Sequence, residues 1–350
     1  MNPEINADYL GLHLSSPIVI GACALTQQPE YVRELAIAGA GAVVLPSLFE
    51  EQIVAHLLAS GGKTSSREQL AETAGSPSIQ DAYNGGPEFY LRTIGQLKHC
   101  VGIPIIANLD GFTDGQWLKF ACQLQNAGAD AIELNFHTDC SNPGSSAAEI
   151  ENTLIDCVCQ ICDAVTIPVS VKLAPYFTSL ANVAWRLVEA GVAGIVIFAH
   201  EPVWETHFER LSATTTWALT PSGNVQPTIA GLVRIRAGGP QISIAASGGV
   251  SNPTNVIQVI IAGADVAMVT SEIYRRGPDV VAHMLDGIRA YLRRSGFDSF
   301  KALTIARPAK ADSLDQRLNL LHSLTHDGCY DDPTPTVADR SGNRWGHVKQ

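Results

Sequence analysis

Short apolar runs alternate with longer segments in which apolar residues recur every three or four positions, over most of the chain. The runs predict buried parallel strands, and the longer segments predict amphipathic helices packed on them. Eight strands are predicted, at Pro17–Ala22, Ala42–Ser47, Pro104–Leu109, Ala131–Phe136, Pro168–Ala174, Gly194–Ala199, Gln241–Ser247 and Asp265–Thr270. The predicted helices include Glu30–Ala38, Gly115–Ala127, Ala147–Val165, Leu180–Ala190, Pro253–Ala262 and Asp279–Arg294.

Four of the predicted helices end in a near-repeat of alanine and glycine that leads straight into a strand, at Gly39, Gly128, Gly191 and Gly263. Glycine is the residue best suited to the left-handed conformation that ends many helices. Because an open doubly wound sheet normally has fewer strands, eight such units in sequence favour a closed (β/α)8 TIM barrel, an α/β fold.

Three segments fall outside this repeat. Residues 50–90 form a long polar insertion after the second strand, which we expect to act as a lid over the strand ends. Residues 200–227 form a second insertion. We predict a barrel over residues 1–300 and a C-terminal extension over 301–350, with a helical piece at Leu314–Leu324. The extension is either a mobile end or an arm that packs on a second subunit.

The composition excludes several classes of protein. The 350 residues are 46% hydrophobic and 16% charged, which indicates a large buried core, and the formal net charge is −11. No basic patch offsets this charge, so a nucleic-acid partner is not expected. No apolar run is long enough to cross a bilayer, and the N-terminus lacks the features of a secretory signal. We therefore predict a cytoplasmic protein without a membrane partner.

No metal site is predicted. Eight cysteines are too few for a disulfide scaffold in a chain of this length. Cys157, Cys159 and Cys162 fall on a helix in positions that direct their side chains apart, which is unsuited to an iron–sulfur cluster. His200 and His207 lack the spacing of a zinc-binding helix, and Pro202 interrupts the local helix.

The ends of the last two predicted strands carry residues that could hold a phosphate. Ser247, Gly248 and Gly249 end one strand, and Asn252 with the proline after it supplies a helix N-cap. The next strand ends in Thr270 and Ser271, which offer hydroxyl groups and amides. In TIM barrels a phosphate site often lies at the loops after the seventh and eighth strands. The alternative is that the two glycines form only a turn.

Polar residues also end three consecutive strands in the middle of the chain. Alternation along a strand places Glu133 and Asn135 on one face, Lys172 on the matching face of the next strand, and Asn108 at the end of the preceding one. A lysine among apolar neighbours needs an anionic or hydrogen-bonding partner. Lys172 therefore faces the electron-accepting edge of a cofactor ring, pairs internally with Glu133, or does both.

The loop after Asn135 is rich in groups that can move a proton. Cys140 offers a thiol, and a thiolate beside a cation can act as a general base. His137 and Asp139 are the other candidates for this role. Each of the three could instead stabilise the loop by hydrogen bonding.

The chain resembles the dihydroorotate dehydrogenase superfamily of FMN-dependent barrels from about residue 7 to residue 300. The motifs that carry this resemblance, to its dihydroorotate dehydrogenase-like branch, are Tyr9-Leu10-Gly11-Leu12, the run from Gly41 to Gln52 and Val171-Lys172-Leu173. The resemblance implies an FMN phosphate at Gly248, Gly249, Thr270 and Ser271, beside Ser247. It implies flavin contacts from Ala22, Cys23, Asn135 and Lys172, to which the strand-end Asn108 is added.

The same resemblance implies a substrate site whose pattern departs from that of the family. It assigns a substrate-side asparagine to Asn84. The chain has no lysine between Gly41 and Glu51, where the family carries one, and two extra residues separate Asn135 from Asn142. His200 stands near the position of a further substrate asparagine. We predict substrate contacts from Asn84, Asn142 and His200.

Together these observations predict an FMN-dependent oxidoreductase acting on CH–CH groups. Hydride would pass between flavin N5 and a small substrate, dihydroorotate or a related donor, while Cys140 takes the proton and Lys172 stabilises the reduced ring. The resemblance also implies a homodimer. Two alternatives remain open: a phosphate-binding barrel isomerase or lyase without flavin, and a non-catalytic partner subunit of a redox complex.

Overall fold

The structure is a computed structural model and describes residues 3–63, 83–111, 115–136 and 142–308. Eight parallel strands close into a barrel in the order β3, β4, β5, β6, β7, β8, β11 and β12, with β12 pairing back to β3. Their bounds are β3 Ile18–Ile20, β4 Ala42–Phe49, β5 Ile105–Gly111, β6 Ala131–Phe136, β7 Val169–Leu173, β8 Gly194–Ile197, β11 Ser243–Ser247 and β12 Val266–Val269. The predicted TIM barrel and its eight strands are confirmed.

Helices connect successive barrel strands and cover the outside of the barrel. The described α-helices are α1 Pro29–Ile37, α2 Glu50–Ala59, α3 Gly86–Cys100, α4 Phe120–Asn126, α5 Ala147–Ala164, α6 Leu180–Glu189, α7 Gln226–Gly238, α8 Pro253–Ala262, α9 Ser271–Arg276, α10 Asp279–Ser295 and α11 Phe300–Ala306. Short 3₁₀ helices span Ala24–Gln27 and Gln116–Lys119. The glycines that end four of these helices have the positive φ angles expected of C-caps, from 95° to 127° at Gly39, Gly128, Gly191 and Gly263.

The core lies between the barrel wall and the helices, and apolar strand residues fill it. All three residues of β3 are buried, as are all four of β8 and β12. Runs without alternation are expected where helices cover the outer face of a parallel sheet and side chains fill its inner face. The burial of these runs explains why sequence alone located the strands.

Strand β4 is longer and less regular than the sequence predicts. It continues past Ser47 to Phe49, and its pairing with β5 shifts register between Val44 and Ser47. Pro46 lies inside this interval and has no N–H to donate to the ladder, which accounts for the irregularity. Strand β5 likewise runs two residues beyond its predicted end at Leu109, to Gly111.

Two antiparallel hairpins lie outside the barrel and were not predicted. Strands β1 Ala7–Tyr9 and β2 Leu12–Leu14 form the first. Leu10 in its turn donates its amide to Ser243 Oγ, at the start of β11, so this hairpin covers the N-terminal end of the barrel. Strands β9 Val203–His207 and β10 Ser212–Thr216 form the second, which is almost entirely exposed.

Some predicted segments lie outside the described residues. These are residues 64–82 of the 50–90 insertion, the loop with the predicted base, and the C-terminal extension with its helical piece at Leu314–Leu324. The described ends of the insertion form helix α2 and the start of α3. Helix α11 follows the predicted boundary at residue 300, and its Phe300 and Leu303 are buried in the barrel core.

Candidate active site at the carboxyl ends of the barrel strands

Two rows of side chains cross four neighbouring strands, β4 to β7, where these strands end. The register aligns Ser47, Asn108, Glu133 and Ser170 in the inner row. Two residues further along each strand, it aligns Phe49, Asp110, Asn135 and Lys172 in the outer row. Because side chains alternate along a strand, residues two apart share a face. The rows therefore form consecutive layers at the mouth of the barrel.

Lys172, Glu133 and Asn108 form a buried cluster that joins the two rows. Lys172 Nζ lies 2.6 Å from Glu133 Oε1, and Asn108 Nδ2 donates to the same oxygen at 2.8 Å. The side chains of Glu133 and Lys172 are 0% and 10% exposed. The predicted internal pair thus exists. Since an ammonium has three donors and the carboxylate takes one of them, Lys172 retains donors for a second partner.

Two acceptors of this cluster are buried without a hydrogen-bond partner in the described part of the chain. They are Asn108 Oδ1 and Glu133 Oε2. Buried polar atoms are satisfied in the great majority of protein structures, and each exception calls for a ligand, a water or another physical reason. Unsatisfied acceptors beside a buried ammonium make this part of the barrel mouth the candidate polar binding site.

Asp110 is a member of the site that the sequence did not reveal. It is 4% exposed, and its Oδ2 accepts a hydrogen bond from Asn135 Nδ2 at 2.9 Å. The predicted strand ended at Leu109, which left Asp110 in a loop without an assigned face. If the predicted strand had continued to Gly111, the alternation that begins with Asn108 would have placed Asp110 beside Asn135.

The predicted phosphate residues meet at the ends of β11 and β12. Gly248 and Gly249 have φ angles of 105° and 73°, which favour glycine. Within the described residues, their N–H groups have no hydrogen-bond acceptor. A Cβ at Gly249 would lie 2.3 Å from the backbone of Asn224, so no other residue fits there without movement. The turn therefore presents two unused amides from a backbone that the adjacent loop fixes in place.

The surroundings of this turn follow the prediction. Asn252 accepts a hydrogen bond from the Asn255 amide as the N-cap of α8, with proline at the first helical position. Thr270 is the N-cap residue of the short helix α9, which begins at Ser271. Ser271 Oγ accepts a hydrogen bond from the Thr220 amide at 3.1 Å. The second insertion thus packs against the end of β12.

Ala22 and Cys23 follow strand β3, which pairs with β12 and β4. Ala22 is half-buried and Cys23 is 4% exposed. Burial raises the pKa of the Cys23 thiol, so this group is a neutral thiol at physiological pH. The Tyr274 hydroxyl of α9 accepts a hydrogen bond from the Ala24 amide at 3.2 Å, which ties this loop to the helix after β12.

Asn84 is held by internal hydrogen bonds. Its Nδ2 donates to Ser47 O at 2.7 Å and to Gln52 Oε1 at 2.9 Å. Its Oδ1 accepts from Gln52 Nε2 at 2.7 Å and from the Gly86 amide at 3.0 Å. The side chain is 1% exposed. In this conformation Asn84 fixes the end of β4 against α3, and a substrate contact would require it to exchange a partner.

The other two predicted substrate residues, Asn142 and His200, lie outside the two rows. Asn142 is exposed, and its Oδ1 accepts from the Gly144 amide at 2.9 Å. His200 is exposed, with Nδ1 3.3 Å from Thr220 Oγ1 and its ring 5.4 Å from that of Trp217. Cys140, His137 and Asp139 lie outside the described residues. Among the described residues, no hydrogen bond or ion pair joins Asn142 or His200 to the Lys172 cluster.

The three cysteines of α5 face different directions, as predicted: Cys157 is buried, Cys162 half-buried and Cys159 exposed. Among the described residues, no three histidine, cysteine or acidic side chains are grouped so that they could hold a metal ion. None of the described helices combines the length and apolar character required to cross a membrane.

The fold and this site define a class: a closed parallel barrel with a polar binding site at the carboxyl ends of its strands. The family model of dihydroorotate dehydrogenase matches residues 80–292. The chain therefore belongs to the dihydroorotate dehydrogenase family and is an oxidoreductase of this type. This result confirms the resemblance found in the sequence.

The match to this chain covers almost the whole length of several similar proteins. The putative dihydroorotate dehydrogenase A (fumarate) of Aeropyrum pernix is 25% identical over 317 aligned residues, and the match covers 85% of this chain and 96% of the relative. The catalytic subunit of dihydroorotate dehydrogenase B (NAD(+)) of Pyrococcus abyssi is 22% identical over 320 aligned residues, and the match covers 85% of this chain and 97% of the relative. The corresponding subunit of Methanosarcina acetivorans is 26% identical over 299 aligned residues, and the match covers 84% of this chain and 93% of the relative.

Proposed function

We propose that the protein is an FMN-dependent oxidoreductase that transfers hydride between flavin N5 and a small CH–CH donor, dihydroorotate or a related compound. The observation that carries the proposal is the buried cluster of Lys172, Glu133 and Asn108, which lies at the same end of the barrel as the glycine turn after β11. A cofactor with both a polar ring and a phosphate has one group for each of these regions.

The turn after β11 fits the phosphate. The unused amides of Gly248 and Gly249 are the donors that a phosphate oxygen requires, and Ser271 and Thr270 supply hydroxyl groups from the next strand end. Ser247 precedes the turn, and its carbonyl is held by Thr228 Oγ1 at 2.9 Å. This hydrogen bond keeps the end of the strand in one position. We assign these residues to the phosphate.

The cluster fits the flavin ring. When bound, FMN supplies an electron acceptor for two electrons and a proton, which no side chain of the chain provides. Lys172 would stabilise negative charge on the ring through the donors that Glu133 leaves unused. Asn108 and Asn135 would hydrogen-bond to polar ring atoms, and the unsatisfied Asn108 Oδ1 is an acceptor for a ring N–H. Ala22 and Cys23 would lie along the ring.

The proton of the CH–CH group requires a base, and we keep Cys140 in this role, with His137 and Asp139 as the alternatives. The loop that carries them follows β6 directly after Asn135 and Phe136, so it begins at the mouth of the barrel. Asn84, Asn142 and His200 remain proposed substrate contacts, and residues 50–90 a proposed lid. The proposal includes a homodimer and leaves the electron acceptor open, because the relatives' names specify both fumarate and NAD(+).

The absorption spectrum of the protein as purified tests this proposal. We expect the visible bands of an oxidised flavin, and their loss when dihydroorotate or a related donor is added without oxygen. A colourless protein that takes up no FMN but is stabilised by sugar phosphates would support an isomerase or lyase instead. A flavoprotein that no donor reduces, and that co-purifies with a second protein, would support a non-catalytic subunit.

A further inference from the structure

A short segment of the second insertion, residues 219–224, contacts both strand ends that are assigned to the phosphate. In the turn after β11, Gly249 O accepts a hydrogen bond from a backbone amide of this segment at 2.9 Å, and the Asn224 backbone lies against Gly249. At the end of β12, the Thr220 amide donates to Ser271 Oγ at 3.1 Å. The segment therefore joins the two strand ends, and its position decides how they are placed relative to each other.

The hydrogen bond from Thr220 determines what Ser271 can offer to a ligand. An N–H that donates to a hydroxyl oxygen occupies one of its acceptor positions and leaves the hydroxyl proton to be donated. Within the described part of the chain, the Ser271 hydroxyl donates to no other group. A phosphate oxygen is a strong acceptor for such a proton. The Thr220 amide thus holds Ser271 as a hydrogen-bond donor for a phosphate.

Arg275 of helix α9 holds the segment mainly by its backbone. Its Nη2 donates to Thr220 O at 2.8 Å and to Leu219 O at 3.4 Å. Its Nη1 donates to Ser222 Oγ at 3.3 Å. The guanidinium is a rigid planar fork, so contacts from two of its nitrogens fix the orientation of the segment as well as its distance from α9.

Glu272 fixes the guanidinium in turn. Arg275 Nη1 donates to Glu272 Oε1 at 2.6 Å, and Ser222 Oγ donates to the same oxygen. The side chains of Glu272 and Arg275 are 6% and 30% exposed. A pair three residues apart on an open helix surface adds little to stability, and burying its carboxylate costs solvation energy. The burial of Glu272 is therefore better explained by the segment that the pair holds than by the stability of α9.

We infer that Arg275 is a positioning residue of the phosphate site. Held by Glu272, it keeps residues 219–224 in the place where they support Gly249 and orient the Ser271 hydroxyl. The guanidinium acts through this segment rather than by touching the phosphate. The inference rests on the proposed function and adds to it the contacts that pre-organise the phosphate site.

Fluorescence titration of the flavin-free protein with FMN and with riboflavin tests this inference. The two flavins share one ring and differ in the phosphate. Arg275→Met removes the guanidinium and keeps an unbranched side chain. We expect it to weaken FMN binding about tenfold and riboflavin binding by less than about twofold, because only the phosphate site loses its support.

Arg289→Met is the matched control. Arg289 of α10 also pairs with an acid three residues before it, Asp286, at 3.3 Å, and its side chain is 29% exposed. Both flavin affinities should stay as in the wild type. Arg275→Lys separates position from charge, because it keeps the positive charge and replaces the planar fork by a single nitrogen. We expect it to lose FMN affinity about as much as Arg275→Met does.

Glu272→Gln provides the same comparison in a protein that keeps Arg275. It preserves the size of the side chain and weakens the hold on the guanidinium, so FMN binding should again weaken more than riboflavin binding. Equal losses for the two flavins in Arg275→Met and Glu272→Gln, or no loss in either, would overturn the inference. Binding of FMN by Arg275→Lys as by the wild type would also overturn it, because charge alone would then suffice. Failure of the wild type to bind FMN would instead overturn the proposed function, and the inference with it.

Discussion

At the scale of single residues, the site depends on charges that the barrel removes from water. Glu133 is fully buried, and its charge is compatible with that position because Lys172 and Asn108 both contact the same oxygen. Burying an ion pair costs solvation energy that its mutual attraction only partly offsets. The pair is therefore weak evidence for stability as such, and its position at the barrel mouth is better explained by a role in binding.

Glu133→Ala should destabilise the fold. It leaves the Lys172 ammonium largely buried without its carboxylate, and we expect the free energy of unfolding to fall by about 3 kcal/mol. Urea denaturation measures the change. Glu133→Gln combined with Lys172→Met, which removes both charges, should recover most of the loss. A loss below about 1 kcal/mol in Glu133→Ala would show that solvent or another group compensates the ammonium.

A second residue-level prediction concerns alkaline pH. Burial raises the pKa of Cys162 to about 11 from its model-peptide value of 9.0, so the folded protein keeps this proton after the unfolded chain has lost it. Stability should therefore fall as the pH rises through this interval. The Cys162→Ser variant lacks this titrating thiol. Its free energy of unfolding should therefore decline less steeply than that of the wild type between pH 9.0 and about 11. Equal slopes for the two proteins would contradict the assignment.

At the scale of elements, strand ends and turns position the site. The two rows exist because β4 to β7 end at the same level, and the turn after β11 requires glycine because the Asn224 backbone packs on Gly249. The sequence located all eight barrel strands because each is an apolar run. It missed the hairpin of β9 and β10, whose residues are exposed and carry no hydrophobic pattern.

Element boundaries decided which site residues could be found from the sequence. Alternation identified Asn108, Glu133, Asn135 and Lys172, since these residues lie within predicted strands. Asp110 was missed because the strand was ended two residues early. The internal hydrogen bonds of Asn84 with Gln52 could not be foreseen, because they connect two segments whose distance in space depends on the fold.

Gly249→Ala tests the turn at this scale. The alanine would have to adopt a positive φ angle, and its Cβ would lie 2.3 Å from the Asn224 backbone. We expect flavin binding to weaken by at least about tenfold, because the two amides must move. Fluorescence titration with FMN measures this change.

The control for this turn is Gly296→Ala at the end of α10, since Gly296 also has a positive φ angle, 76°, but nothing within 4 Å of an added Cβ. It should cost about 1 kcal/mol of stability through backbone strain and leave flavin affinity intact. If both variants bind FMN as the wild type does, the turn does not hold the phosphate.

At the scale of the whole molecule, the last described helix closes the barrel. The first described residues contact the start of α11, where the Phe300 amide donates a hydrogen bond to Glu4 O at 2.7 Å. The side chains of Phe300 and Leu303 on this helix are buried. Arg307 donates to Ala264 O at 2.7 Å and to Asp265 Oδ1 at 3.0 Å. Helix α11, which begins at the predicted end of the barrel, therefore packs on the barrel core.

Truncation of the chain tests whether helix α11 contributes to the stability of the barrel. A chain of residues 1–298 lacks the two buried side chains of α11, and we expect it to be less stable than a chain of residues 1–308 by about 3 kcal/mol or more. Thermal and urea unfolding of both chains measure the difference. Equal stabilities would show that α11 adds nothing to the barrel and would support the earlier boundary.

The central claim is that the mouth of this barrel binds a flavin between the Lys172 cluster and the glycine turn. The absorption spectrum of the purified full-length chain, recorded before and after incubation with FMN and removal of the excess, tests it most directly. We predict the visible bands of oxidised flavin at about one FMN per chain, from one ring site and one phosphate site. A protein that stays colourless after incubation would contradict the account.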